Sequence, residues 1–260
     1  MKSVRIKNVP ILVFVLTLSI SCTLKDQDGR ESKVSQDAPV TTRSGLSWDY
    51  PVKGGTAEWK MLQSYEEMVK VCQIPEGILR SLSTDDLTEI CLQYPLLFCI
   101  FHFNRLSDGL DKMFSEFNGM RELYARKDMS IGLISRYVQK VQSFSFLDEA
   151  HTDASKGVFI ISVSILEALL SRVTQHENSS YKEILQCLVD GYERKWEYAD
   201  DFSGLGFSTN FFARANVMTK MDPQFVSQLP GNDKNSVFYS GWTDEQTIGI
   251  INELSYQLMK

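Results

Sequence analysis

From Trp48 to the C-terminus, apolar residues recur three and four positions apart, the spacing that lines one face of an α-helix. Trp59, Leu62, Met68, Val69 and Cys72 form the first such stripe, after a Gly54–Gly55 turn. Pro75 suits a first helical position and opens PEGILRSL. Ser83 then predicts a cap, with Asp85 and Asp86 in the first turn and Leu87, Ile90, Cys91 and Tyr94 facing inward. Pro95 cannot continue that helix, so a new one is expected from Leu96. It is apolar all round to Phe103 except at His102, then amphipathic through Leu106, Leu110, Met113, Phe114 and Phe117.

The pattern continues. Met120, Leu123 and Tyr124 follow a break at Gly119, and Leu133, Ile134, Tyr137, Val138 and Val141 form another stripe. Residues 158–173, VFIISVSILEALLSRV, are apolar on nearly every side, with helical spacing at Ile165, Leu166, Leu169, Leu170 and Val173. This is the expected central buried helix, and Glu167 is expected on its one solvent-facing edge. A Ser180–Glu183 capping box introduces the cleanest stripe, Tyr181, Ile184, Leu185, Leu188, Val189, Tyr192 and Trp196. Phe207, Phe211, Ala215 and Met218 predict a further helix. SVFYSG (residues 236–241) is the only segment that reads as a strand. A Thr243–Gln246 capping box then opens a last helix with Ile248, Ile251, Leu254 and Leu258 inward. No proline falls between Pro95 and Pro223. The expected fold is all-α: an irregular multi-helix bundle or helical array, with at most one short β-hairpin near the C-terminus, in a single domain over residues 48–260.

The N-terminus follows different rules. Lys2, Arg5 and Lys7 precede a short apolar run from Val9 to Ile20, and small residues then lead to Cys22. That is a secretory signal over residues 1–21, too short for a membrane span. LSISC resembles the box of a bacterial lipoprotein signal, with Leu18 one position early, a loosening found in lipoproteins of Bacteroidetes. The resemblance implies lipidation of Cys22; an ordinary cut between Ser21 and Cys22 is the alternative. Residues 23–47 hold few large apolar side chains and read as a solvated tether. Such a chain spans an r.m.s. distance of roughly 25–30 Å.

Composition changes this picture little, but charge narrows it. With 43% hydrophobic and 23% charged residues the chain is ordinary globular material. Three of its 27 basic residues lie in the signal, leaving 24 against 33 acidic, a net of −9. No basic stripe stands out, so nucleic acid is not an expected partner.

Candidate chemistry is sparse. Cys99 and His102, three apart, would touch on a helix and could form a nucleophilic pair, but their apolar setting argues for core packing. His102, His151 and His176 lack metal-ligand spacing, and no cofactor motif occurs. Cys72, Cys91, Cys99 and Cys187 leave a disulfide open without requiring one. The pairs Asp85–Asp86 and Asp200–Asp201 read as caps and solvated charge rather than as acid and base of a glycosidase.

Residues 50–96, YPVKGGTAEWKMLQSYEEMVKVCQIPEGILRSLSTDDLTEICLQYPL, resemble the opening of a family of secreted or lipid-anchored proteins of Bacteroidales, and the resemblance continues through FN at 103–104 and FNGMREL at 117–123. It implies an envelope location and carries over no catalytic or binding residues. The expected function is an outer-membrane lipoprotein, on the surface or the periplasmic face, with membrane contact through lipid on Cys22 and a non-catalytic domain for a protein, peptide or glycan. The alternative is an envelope hydrolase assembled from distant carboxylates such as Glu167.

Overall fold

The computed structural model describes residues 48–173, 178–230 and 236–260; the signal, Cys22, the tether and His176 lie outside them. The described chain is helix after helix, with no strand among its residues. Short helices come first: α1 (Ala57–Met61), α2 (Tyr65–Val71), α3 (Glu76–Ser81) and α4 (Thr84–Leu92). A 3-10 segment, Leu97–His102, leads to α5 (Leu106–Glu116), α6 (Asn118–Ala125) and α7 (Met129–Gln142). The long core helices are α8 (Asp153–Leu170), α9 (Asn178–Lys195) and α10 (Leu205–Met221). The turns α11 (Phe225–Gln228) and α12 (Ser236–Tyr239) precede the last helix, α13 (Glu245–Met259).

Local chemistry starts these helices where the side chains permit. Thr56, Ser64, Ser83, Thr152 and Asp244 each accept a hydrogen bond from a backbone N–H of the first turn they cap. Each cap satisfies a donor that the helix itself cannot, a contribution of about 1 kcal/mol. Packing supplies the rest. Helices α8 and α9 both pack on α10, α7 covers α8 and α9, and α13 lies across α9 and α10. The α8 helix is the centre: every residue from Val163 to Leu170 is buried. No helix among the described residues is long and apolar enough to cross a membrane.

Five local expectations need correction. The helix expected from Leu96 is instead the 3-10 segment followed by extended backbone at Phe103. Three residues per turn put Leu97 and Ile100 on the buried side and leave Phe98, His102 and Phe103 exposed. The segment 236–241 is the helical turn α12, not a strand. A lone strand would find no partner, whereas Val237 reaches the core as a helical residue. The turn ends at Gly241 (φ 75°), where a Cβ would come within 1.8 Å of Ser208 O on α10. Asp244, not Thr243, caps α13, and α9 already runs from Asn178, two residues before Ser180. Trp196, expected in the core, begins a 3-10 turn and is 45% exposed.

Candidate functional site

Glu167 is not on a solvent edge. It is completely buried, because α8 has no solvent edge at that level: α7, α9 and α10 each send polar groups to it. Its Oε1 accepts from Tyr137 Oη of α7 at 2.7 Å, Lys195 Nζ of α9 at 2.6 Å and Asn210 Nδ2 of α10 at 2.9 Å. Its Oε2 accepts from Thr209 Oγ1 at 2.6 Å. Lys195 is equally buried, donates also to Gly206 O, and lies 5.1 Å from the centre of the Phe202 ring. Burial pushes the Lys195 ammonium below the usual lysine range, and the Glu167 carboxylate pulls it partly back. Burial, then the Glu167 charge, raises the Tyr137 hydroxyl far above the usual phenol range. With both oxygens saturated by donors, the carboxylate here has no contact to offer a substrate.

A second buried cation lies one helical turn along α10 from Asn210. Arg214 is fully buried and donates through Nη1 to Asn252 Oδ1 (2.8 Å), and through Nη2 to Ser255 Oγ (2.7 Å) and Ile251 O (3.1 Å) of α13. Its guanidinium lies 5.0 Å from the Tyr192 ring centre. Burial lowers its pKa to about 10. Sequence reasoning missed Thr209, Asn210 and Arg214 because Phe207, Phe211, Ala215 and Met218 sufficed to define an inner face. The available signal was Arg214 itself, a lone charge between Ala213 and Ala215, directly after Phe211 and Phe212.

The open cavity lies on the other side of α7 and α8. Its volume is about 490 Å³, within the roughly 300–1,000 Å³ typical of ligand sites. Leu97, Phe98, Val158 and Ile165 supply apolar lining, and Gln93 and Gln139 supply amides. Phe98 is 41% exposed and Val158 47%. Arg136, also in the lining, pairs with Asp85 (3.1 Å) and Glu89 (3.0 Å) of α4, so α4 and α7 are tied together along one side. The same two helices that frame the groove thus carry the buried cluster inward: α7 presents Tyr137 and α8 presents Glu167.

The other sequence candidates do not converge. Cys99 is half-buried and His102 exposed, which corrects the expectation that both are core. Asp86 accepts from Ser83 Oγ at 2.7 Å and is part of the α4 cap. Asp200 and Asp201 are exposed. His151 stacks on Phe146 and contacts Glu149 at 2.9 Å. Cys72, Cys91, Cys99 and Cys187 form no disulfide. Burial pushes the Cys72 and Cys187 thiols up to about 12, away from nucleophilic character. Among the described residues no cluster of three or more His, Cys, Asp or Glu is placed to hold a metal ion. Comparison with protein-family models, curated proteins and solved structures gives no match to this chain.

Proposed function

We propose that this chain is an outer-membrane lipoprotein, anchored by lipid on Cys22, whose helical domain captures an apolar peptide segment of a partner protein in the groove of α4, α7 and α8. The observation that carries the binding half is the pair Phe98 and Val158, apolar side chains left in water within one concavity. The amides of Gln93 and Gln139 in the same lining suit the N–H and C=O groups of a peptide, which a purely apolar wall would leave unpaired. The anchoring half rests on the lipoprotein-like box at LSISC and the solvated tether behind it. Two acyl chains give lasting attachment at about 0.8 kcal/mol per buried methylene, and an acidic domain adds no attraction to anionic lipid. A hydrolase built on Glu167 has less support, since that carboxylate is sealed and saturated.

Each half has its own test. Wild-type protein should take up labelled fatty acid and partition with membranes, and Cys22→Ala should do neither. An unlabelled, soluble wild type would end the anchoring reading. For the groove, panning a displayed peptide library on the anchored protein should enrich segments with apolar residues. Val158→Asp, with unchanged helical circular dichroism, should lose at least tenfold in their capture. Equal capture by the variant, or no enrichment on wild type, would end the binding reading.

A further inference from the structure

Lys195, Glu167 and Asn210 are a primary amine, a carboxylate and a carboxamide, and none of the three has any solvent exposure. Lys195 Nζ and Asn210 Nδ2 sit 2.6 and 2.9 Å from the same carboxylate oxygen. A second contact holds the amine on α10: Nζ also donates to Gly206 O, the carbonyl four residues before Asn210. Asn210 Nδ2 donates to Glu167 and to Leu188 O (2.9 Å), while its Oδ1, although buried, has no hydrogen-bond partner. A nucleophile, an electrophile with an unengaged carbonyl oxygen, and a group able to carry protons between them share one dry chamber. Simple charge burial would be met by the carboxylate and its donors; it does not call for a carboxamide with an orphaned oxygen beside the amine.

We infer that this cluster is a self-modification site, in which Lys195 Nζ attacks Asn210 Cγ to form an intramolecular amide cross-link between the end of α9 and α10. Glu167 takes a proton from the Lys195 ammonium, which frees the nitrogen lone pair. The Nζ–Cγ bond forms, Glu167 gives that first proton to the departing nitrogen of Asn210 as the Cγ–Nδ2 bond breaks, and it then takes the second proton from Nζ and passes it to the released ammonia. The products are a secondary amide, one ammonium ion and the regenerated carboxylate. No oxidant, reductant or cofactor is needed. Preorganisation supplies the rate: reactants held in one geometry react as though at enormous effective concentration. Exclusion of water protects the product from hydrolysis. Burial also depresses the amine's proton affinity, which favours the neutral nucleophile. Glu167 touches both reacting groups and is the catalytic residue of this step; Thr209, on its other oxygen, is a positioning residue.

The sequence makes the test direct. Trypsin cuts after Arg194, Lys195 and Arg214, so an unreacted chain yields the linear peptide of residues 196–214. A Lys195 side chain in amide linkage is not cut. The full-length, folded protein, denatured only after purification and then digested, should give instead a peptide of residues 195–214, lighter by one ammonia than its linear form. Fragmentation should show a loop closed between Lys195 and Asn210, and the 196–214 peptide should be lost. Glu167→Gln, which keeps the shape but cannot shuttle the proton, should return the linear peptide while remaining helical. Cleavage at Lys195 in wild type with Asn210 intact would overturn the inference. So would a peptide of residues 196–214 that has lost ammonia, because that signals an internal imide at Asn210 without Lys195. Both readings come from wild type alone and do not depend on any variant folding.

Discussion

Removing the carboxylate of Glu167 would leave Lys195 charged and alone in a sealed interior, where only Gly206 O still receives it. Losing one partner of a buried pair costs about 3–5 kcal/mol, far more than the net value of keeping both. Glu167→Ala should therefore lower Tm by about 6–20 °C at this domain size, and Lys195→Met by a comparable amount. The double replacement Glu167→Met with Lys195→Met should recover much of the loss seen in Glu167→Ala, since no charge is then left without a partner, although it too lacks the Lys195–Asn210 link. A thermal-melt double-mutant cycle checks this; simple additivity would mean that the two groups do not stabilise each other. This cluster was only half legible in the sequence. A helical pattern tells which face of α8 is polar, and a single glutamate in an apolar run reads as a solvent edge. Its fate is decided by groups 28 to 43 residues away, on helices whose relative placement no local spacing encodes.

Helices α7 and α9 approach closely at Gly191, where an added Cβ would lie 2.0 Å from Tyr137 Oη and 2.7 Å from its Cζ. Gly191→Ala gains about 1 kcal/mol of helix propensity but must displace the hydroxyl that donates to Glu167. Overpacking of this kind costs about 1–3 kcal/mol, so the net effect should be destabilising. Gly249, exposed in α13, has nothing within 4 Å of its would-be Cβ. Gly249→Ala should stabilise by about 0.5–1 kcal/mol. Denaturant melts of the two variants should move in opposite directions. Elements themselves were largely readable, because stripes such as Leu133 to Val141 and Tyr181 to Tyr192 report a buried face directly. The 3-10 segment and α12 were not, because a dense apolar run has no period to read. Aromatic and β-branched residues such as Val237 and Phe238 favour a strand only where another strand lies beside them. The groove was illegible for a related reason: four separate segments line it.

The whole molecule keeps protons that its unfolded chain would release. Burial pushes the thiols of Cys72 and Cys187 up to about 12 and that of Cys91 higher still, and it raises the phenols of Tyr50, Tyr124 and Tyr137. For such acids the folded state binds more protons than the unfolded state above pH about 9, so stability falls as pH rises through that window. Lys220 acts in the opposite sense. Its Nζ is held by Ser171 O and Val173 O, and its pKa is lowered to about 8, which adds stability between pH about 8 and 10.5. The acids outnumber it. Tm should change little from pH 7 to 9 and fall steadily above about 10; a Tm that climbs through pH 10.5 would contradict the assignment.

The sheathing of α8 has a consequence for the timescales on which the molecule opens. Eight consecutive residues, Val163 to Leu170, are buried, and their backbone amides belong to a helix enclosed by α7 and α10 and flanked by α5 and the Leu97–His102 segment. No fraying end or shallow loop movement can bring solvent deuterium to them. Their exchange runs only through cooperative opening of the entire core, so the slowest amides of this stretch act as a clock for global unfolding in native buffer. Helices α11 and α12, four residues each and at the periphery, exchange through small local openings and keep a faster time of their own.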